Sequence, residues 1–181
     1  GRFAAIIAIV ALGVGFLVGI LSSTPDMKTT VQQYYQDYAM SDFNLKSTLG
    51  FTEDDIDAIA DIPEIDTVMP ANVVDSLVYI NNEDLVTGRL YGTDLDNQTV
   101  NKLQLLDGRM PENSSECVIE KPDGHLNDVA IGDVITISEE NDDYDTLYEQ
   151  TEFTVVGTVN SPYYFCNSRE PSTVGTGRTG V

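Results

Sequence analysis

From Phe3 to Leu21 the chain reads FAAIIAIVALGVGFLVGIL, nineteen residues without a charge, with Arg2 before them and a strongly acidic sequence after them. At ~1.5 Å of rise per residue, such a helix reaches about 28 Å, close to the hydrocarbon thickness of a bilayer. A cleaved leader has an apolar core of about 7–15 residues and a small-residue cut site. This run is longer, and Leu21-Ser22-Ser23-Thr24-Pro25 makes a poor site. It has no polar face, which argues against a buried core helix and against an interfacial amphipathic one. The expectation is a spanning helix. Ala11, Gly15 and Gly19 recur every fourth position and share one face, a small-residue stripe along which another helix can approach closely. Apolar spans are often rich in Gly and Ala, so the stripe alone identifies no partner.

Charge then fixes what the rest can meet. The chain carries 30 Asp and Glu against nine Lys and Arg, a net charge of −21, and Arg2 is the one charged residue before Asp26. The remainder therefore holds −22. Such a surface repels nucleic-acid phosphates and anionic headgroups, which excludes a nucleic-acid partner. The positive-inside tendency puts Arg2 in the cytoplasm and the acidic part outside. With about 155 residues beyond the span and 41% hydrophobic content, one medium domain or two small lobes can bury a core. The chain starts at Gly1 and stops in Gly-Arg-Thr-Gly-Val, and it is expected to be a piece of a longer protein.

Past the span, Thr24-Pro25-Asp26 predicts an N-cap with proline at the first helical position. Met27, Val31, Tyr34, Tyr35 and Tyr38 follow on one helical face, predicting a stalk helix with a kink at Pro25. The tyrosines read first as packing surface, and they also suit an interfacial belt. Phe43 to Ser47 alternates as a strand does. Thr52 caps a helix whose first turn holds Glu53, Asp54 and Asp55, with Ile56, Ile59 and Ala60 inward and Pro63 as its stop. Val73–Ile80 and Leu85–Tyr91 form a hairpin about Asn81-Asn82-Glu83. Strand, helix, strand, strand in this order predicts a split βαβ lobe of ferredoxin-like character. Residues 94–106 read as irregular. Strands at Glu116–Glu120, Val134–Ser138 and Phe153–Val159 then predict a second, β-rich and mostly antiparallel lobe. The fold class expected is α+β.

No G-x-x-x-x-G-K-[ST] exists to cradle ATP phosphates. Gly175 to Gly180 satisfies G-x-G-x-x-G, yet it follows no clear strand and opens no helix, so it reads as a loop. His125 is the one histidine, in a Pro-Asp-Gly-His turn without a nucleophile or a second metal ligand. Glu139 to Asp145 and Asp94–Asn97 gather carboxylates but lack the glycine and terminal glutamate of a calcium loop, so solvated turns are the plainer reading. Cys117 and Cys166 have no metal-site spacing; outside the cytoplasm they could pair, and two separate thiols are the alternative. No catalytic, cofactor-binding or metal-ligating residue is assigned, and no cofactor is expected.

Several segments together point further. Ser47-Thr48-Leu49-Gly50-Phe51-Thr52-Glu53-Asp54-Asp55 follows the tyrosine-bearing stalk, and Leu106-Asp107-Gly108-Arg109-Met110-Pro111 precedes Glu116-Cys117-Val118-Ile119. Ile131-Gly132-Asp133-Val134-Ile135-Thr136-Ile137 and Phe153-Thr154-Val155-Val156-Gly157-Thr158-Val159 complete the order. In that arrangement the chain resembles the MacB/FtsX-type ABC transporter permease family, over its first membrane helix and extracytoplasmic core domain. The resemblance implies a transmembrane helix at 1–23, a stalk at 24–40, a core domain at 41–165 and a linker at 166–181. It implies further permease helices in the lipid bilayer, a separate ABC ATPase subunit, a second permease as partner, and a bacterial cell membrane with residues after about 24 outside. It also implies a non-catalytic part in export or extraction of a lipoprotein, peptide or antimicrobial. The other reading is a single-pass surface sensor with an acidic binding domain.

Overall fold

Arg2 to Asp37 forms one unbroken helix, α1, long and apolar enough at its N-terminal end to cross a membrane. Its 36 residues correspond to about 54 Å of helix, well beyond one hydrocarbon layer. The expected new start at Thr24 does not occur, because Pro25 lies inside α1. Proline there removes a donor, a change that usually costs about 3 kcal/mol in a helix interior. Hydroxyls on the surrounding turns bond back to the backbone: Ser23 to Ile20 O at 2.9 Å, Thr29 to Pro25 O at 3.0 Å and Thr30 to Asp26 O at 2.9 Å.

The computed structural model describes residues 1–120, 129–142, 144–163 and 172–174. They divide into two units, residues 1–37 and the domain that begins at Tyr38. In that domain the order is α2 (Glu53–Ala60), β1 (Asn72–Ile80), β2 (Asp84–Gly92), β3 (Gln104–Gly108), β4 (Glu116–Glu120), β5 (Val134–Ile137), α3 (Tyr144–Leu147) and β6 (Glu152–Asn160).

All six strands belong to one sheet, ordered β2-β1-β5-β6-β3, with β4 also on β6. The β1–β2 hairpin turns at Asn81 and Asn82, with φ of 51° and 59°, and the Glu83 N–H closes on Ile80 O at 3.0 Å. Asparagine tolerates this left-handed region better than most side chains, and the resulting mirror-image turn matches the strand twist. The turn is also pinned to β5: Asn81 N–H donates to Val134 O at 2.8 Å and Val134 N–H to Asn81 Oδ1 at 2.9 Å.

Strand β6 organises the sheet. β4 runs parallel beside Thr154 to Val159, overlapping the partners of both β5 (Glu152–Thr154) and β3 (Gly157–Asn160). Two strands cannot occupy the same edge at the same residue, so β5 and β3 divide the edge of β6 opposite β4. The register skips Val156 between Cys117 and Val118, which marks a bulge. That extra residue explains why Val155, Val156 and Gly157 are buried in succession on a strand that otherwise alternates. Val78, Ile119, Val129, Ile135, Ile137 and Val155 form the core. Burying a side chain of this size contributes about 1.5–3 kcal/mol.

The α+β class therefore holds, with changes inside it. Among the described residues no separate βαβ lobe forms: Phe43–Ser47 is not a strand, and the β-rich part is the same sheet as the hairpin. Alternation marks a sequence fit for a strand, while the ladder itself needs an edge that only tertiary structure supplies. β3 lies where residues 94–106 read as irregular and turn-rich, and the β4–β6 pair is parallel within a mostly antiparallel sheet.

Candidate functional site: the clamp that follows the membrane helix

Where the chain leaves α1 it turns at Tyr38 and Ala39, the latter at φ 47°. Both carbonyls are then held. Asn101 N–H donates to Ala39 O at 2.8 Å and Lys102 N–H donates to Tyr38 O at 2.8 Å. The Asn101 side chain completes the grip: its Oδ1 accepts from Ser41 N–H at 2.9 Å, and its Nδ2 donates to Ser41 Oγ at 3.1 Å and to the Tyr163 hydroxyl at 2.7 Å. Its own carbonyl accepts from Gln98 Nε2 at 2.8 Å, and Gln98 Oε1 takes the Leu103 N–H. Every polar atom of Asn101 is thus engaged, as burial to 7% exposure demands. Its φ of 51° is again a conformation that asparagine accepts.

Tyr163 carries the clamp onward, its ring stacked on Tyr91 of β2 at a centroid distance of 5.7 Å. On the adjoining hairpin, Asp75 and Arg89 are register partners across β1 and β2, bonded at 2.6 Å and 3.0 Å with both side chains at most 9% exposed. Thr173 donates to the same carboxylate from its N–H at 2.9 Å and its hydroxyl at 3.1 Å. Arg89 and Thr173 together hold Asp75 at a pKa of about 2. The segment 172–174 is therefore fastened to β1 as the segment 38–41 is fastened to Asn101.

A second ionic group braces the turn between β3 and β4. Arg109 grips Glu116 with both guanidinium nitrogens, at 2.7 Å and 2.5 Å, and Glu112 N–H donates to the same carboxylate at 2.9 Å. Arg109 and the Glu112 N–H lower Glu116 to about 2. These charges are committed to one another.

The residues singled out by sequence fall into three groups. On α1, Met27 and Tyr35 are exposed, Val31, Tyr34 and Tyr38 are half-buried, and Gly15 and Gly19 have open space around them. Ala11 lies on the same exposed helix. Cys117 is a half-buried thiol on β4, pushed up to about 11 by burial, while Cys166, His125 and Gly175–Gly180 lie outside the described residues. In the two acidic stretches, side chains bond to backbone. Asp94 accepts from the N–H groups of Asp96 and Asn97, and Asn141 bonds Leu77 through both N–H (2.7 Å) and C=O (2.8 Å). Among the described residues no group of three or more His, Cys, Asp or Glu is placed to hold a metal. Asn101 escaped the sequence reading because Val100-Asn101-Lys102 has no local signature and its partners are some 60 residues away on either side.

The described residues thus comprise a helix long and apolar enough to cross a membrane and an α+β domain. The model of the MacB-like periplasmic core domain matches residues 3–174, nearly the whole chain, and the chain belongs to that family. No curated protein and no solved structure matches it. The family is that of an ABC permease component, not of an enzyme.

Proposed function

We propose that this chain is the first span and outer domain of an ABC permease, and that it carries motion of its membrane helix into the sheet without chemistry of its own. The observation that bears most weight is the Asn101 clamp, which holds the backbone at the first residues after α1 to the loop before β3. A helix can transmit force only if its end is fixed to what it moves, and three hydrogen bonds from Asn101 to Ala39 and Ser41 provide such a fixing. In this reading residues 1–23 lie in the cell membrane with 24–40 as stalk, and the domain from about 41 is extracytoplasmic, with 166–181 as linker. Further permease helices pack along Ala11, Gly15 and Gly19, the stalk face of Met27, Val31, Tyr34, Tyr35 and Tyr38 meets a neighbouring element, and a separate ATPase drives the cycle, with a second permease completing the complex. The cargo class is a lipoprotein, peptide or antimicrobial, exported or extracted. Cys117 and Cys166 form a disulfide in the oxidising exterior.

The test is purification of the intact protein from solubilised membranes together with protease treatment of intact cells. An ABC ATPase should copurify in stoichiometric yield, and external protease should cut within residues 38–174. Recovery of the protein alone, with one span in its reading frame, would favour a single-pass acidic sensor instead.

A further inference from the structure

β3 ends in an Asp-Gly pair, Asp107-Gly108, whose amide is left over from the sheet. Asp107 faces Thr158 and Gly108 faces Gly157 on β6, and Arg109 N–H donates to Val156 O in the same register. Hydrogen-bonded and non-hydrogen-bonded pairs alternate along an antiparallel ladder, so the Gly108–Gly157 pair is of the second kind. The Gly108 N–H therefore points away from β6, to a side where no described strand lies beside β3. It turns instead to the residue before it and donates to Asp107 Oδ1 at 2.8 Å. Both residues are exposed to water.

Other aspartates of the domain are arranged differently. Asp94 accepts from the N–H groups of Asp96 and Asn97, Asp133 from Ala130 N–H and Asp55 from Thr52 N–H, while Arg89 and Thr173 take up Asp75. None of these bonds brings a carboxyl to the amide that follows it in sequence. At Asp107 the carboxyl carbon and the next nitrogen are held side by side, and Gly108 has no side chain to hinder their approach. No other residue fits in its place, because a Cβ there would strike Val156 O and the Gly157 backbone. The fold thus fixes glycine after this aspartate.

We infer that Asp107-Gly108 is a self-modification site, at which the folded domain converts its own backbone through a succinimide to isoaspartate. The Gly108 nitrogen attacks Asp107 Cγ, the carboxyl reacting as the neutral acid. The N–Cγ bond forms, the Cγ–OH bond breaks, and the hydroxyl leaves as water with the amide proton. A second water then opens the five-membered ring. Attack at Cγ restores aspartate, whereas attack at the main-chain carbonyl carbon routes the chain through Cβ and Cγ and leaves an α-carboxylate. The second product lengthens the backbone by one carbon just before Arg109, whose N–H holds β3 to β6 and whose guanidinium holds Glu116. What the fold supplies is proximity of the two reacting atoms. The reaction turns over no substrate, and nothing in it depends on the permease reading.

Ageing the intact protein in detergent at neutral pH, followed by peptide mapping with electron-transfer dissociation, tests this. Isoaspartate should accumulate at Asp107 about 3- to 10-fold faster than in the same protein held unfolded in guanidinium. A transient species lighter by one water should map to Asp107-Gly108. Mapping separates both from the chain's other Asp-Gly pair, Asp123-Gly124, which lies outside the described residues. Asp107→Glu, whose ring would be six-membered, should end the water loss at this position. Isoaspartate forming no faster in the folded protein than in the unfolded chain would overturn the inference, as would water loss that persists there in Asp107→Glu.

Discussion

Gly108 and Gly157 oppose each other where β3 meets β6, and neither position has room for a side chain. A Cβ on Gly157 would strike the carbonyl oxygens of Arg109 and Asp107, and one on Gly108 would strike Val156 O and the Gly157 backbone. The close approach is held by the Arg109 N–H, which donates to Val156 O at 3.0 Å beside the β6 bulge. Gly108 also sits at φ +76°.

Gly157→Ala is therefore expected to destabilise the domain by about 2–4 kcal/mol through overpacking against backbone that cannot yield. For a domain of this size that lowers Tm by roughly 6–12 °C. Gly108→Ala adds left-handed strain of about 1–2 kcal/mol to its own collision. Thermal unfolding followed by circular dichroism decides both. A Tm within a degree or two of the parent would mean that β3 and β6 separate more easily than the register implies.

At the clamp, Asn101→Ala removes three side-chain bonds and strands the Ser41 N–H and the Tyr163 hydroxyl. Leaving such groups unpaired costs about 1–3 kcal/mol each where they are shielded from water. The expected loss is about 2–3 kcal/mol by urea denaturation, with faster exchange of the Ser41 amide. Asn101→Gly should recover about 1 kcal/mol of this, because glycine adopts φ 51° without strain while still lacking the amide. Equal losses for the two variants would remove the backbone part of the argument.

Much of this architecture can be read from local sequence. The Asn81-Asn82 turn announces the hairpin, Thr52 with Asp55 announces α2, and the apolar runs about Ile119, Ile135 and Val155 announce three core strands. What cannot be read is pairing. Gln104–Gly108 is a strand because β6 offers an edge to it, and its bulge at Leu106 interrupts the alternation that would have signalled it. The parallel β4–β6 ladder is equally a tertiary outcome, since Glu116–Glu120 reads alike in either direction. The clamp is least legible of all. Asparagines are common in loops, and what distinguishes Asn101 is the arrival of Ser41 and Tyr163 from distant parts of the chain.

Acid should unfold the domain in a defined window. Asp75 is held at about 2 by Arg89 and Thr173, below the ordinary value near 4. A depressed carboxylate stabilises the fold above its unfolded pKa, and the contribution fades as pH falls from about 4 through about 2. Glu116, also at about 2, acts in the same window and the same direction. Between pH 7 and about 5 the opposite trend is expected, because protonation begins to relieve repulsion among 30 acidic residues. Asp75→Asn leaves Arg89 at 9% side-chain exposure without its counter-charge and should cost about 3 kcal/mol at pH 7. The gap between variant and parent should narrow as the pH is lowered from about 4 to about 2.5 in urea titrations. A gap that stays constant would show that Asp75 is not ionised in the folded protein.

Cys117 offers a prediction about reactivity. Burial raises its thiol to about 11, so at pH 8 only about one molecule in a thousand carries the thiolate. An ordinary thiol near 8.5 would hold about one in four, and the thiolate is the species that attacks alkylating reagents. In the reduced protein, iodoacetamide at pH 8 should therefore label Cys117 at least about 100-fold more slowly in the folded domain than in 6 M guanidinium. Mass spectrometry on the denatured, unreduced protein then tests the proposed pairing with Cys166. No labelling before reductant and two labels after it is the expected result for a disulfide. Two labels without reductant mean two thiols, with the slow folded-state rate at Cys117 left to burial alone. Rapid labelling of Cys117 in the folded protein would place β4 in water and contradict its seat beside the core.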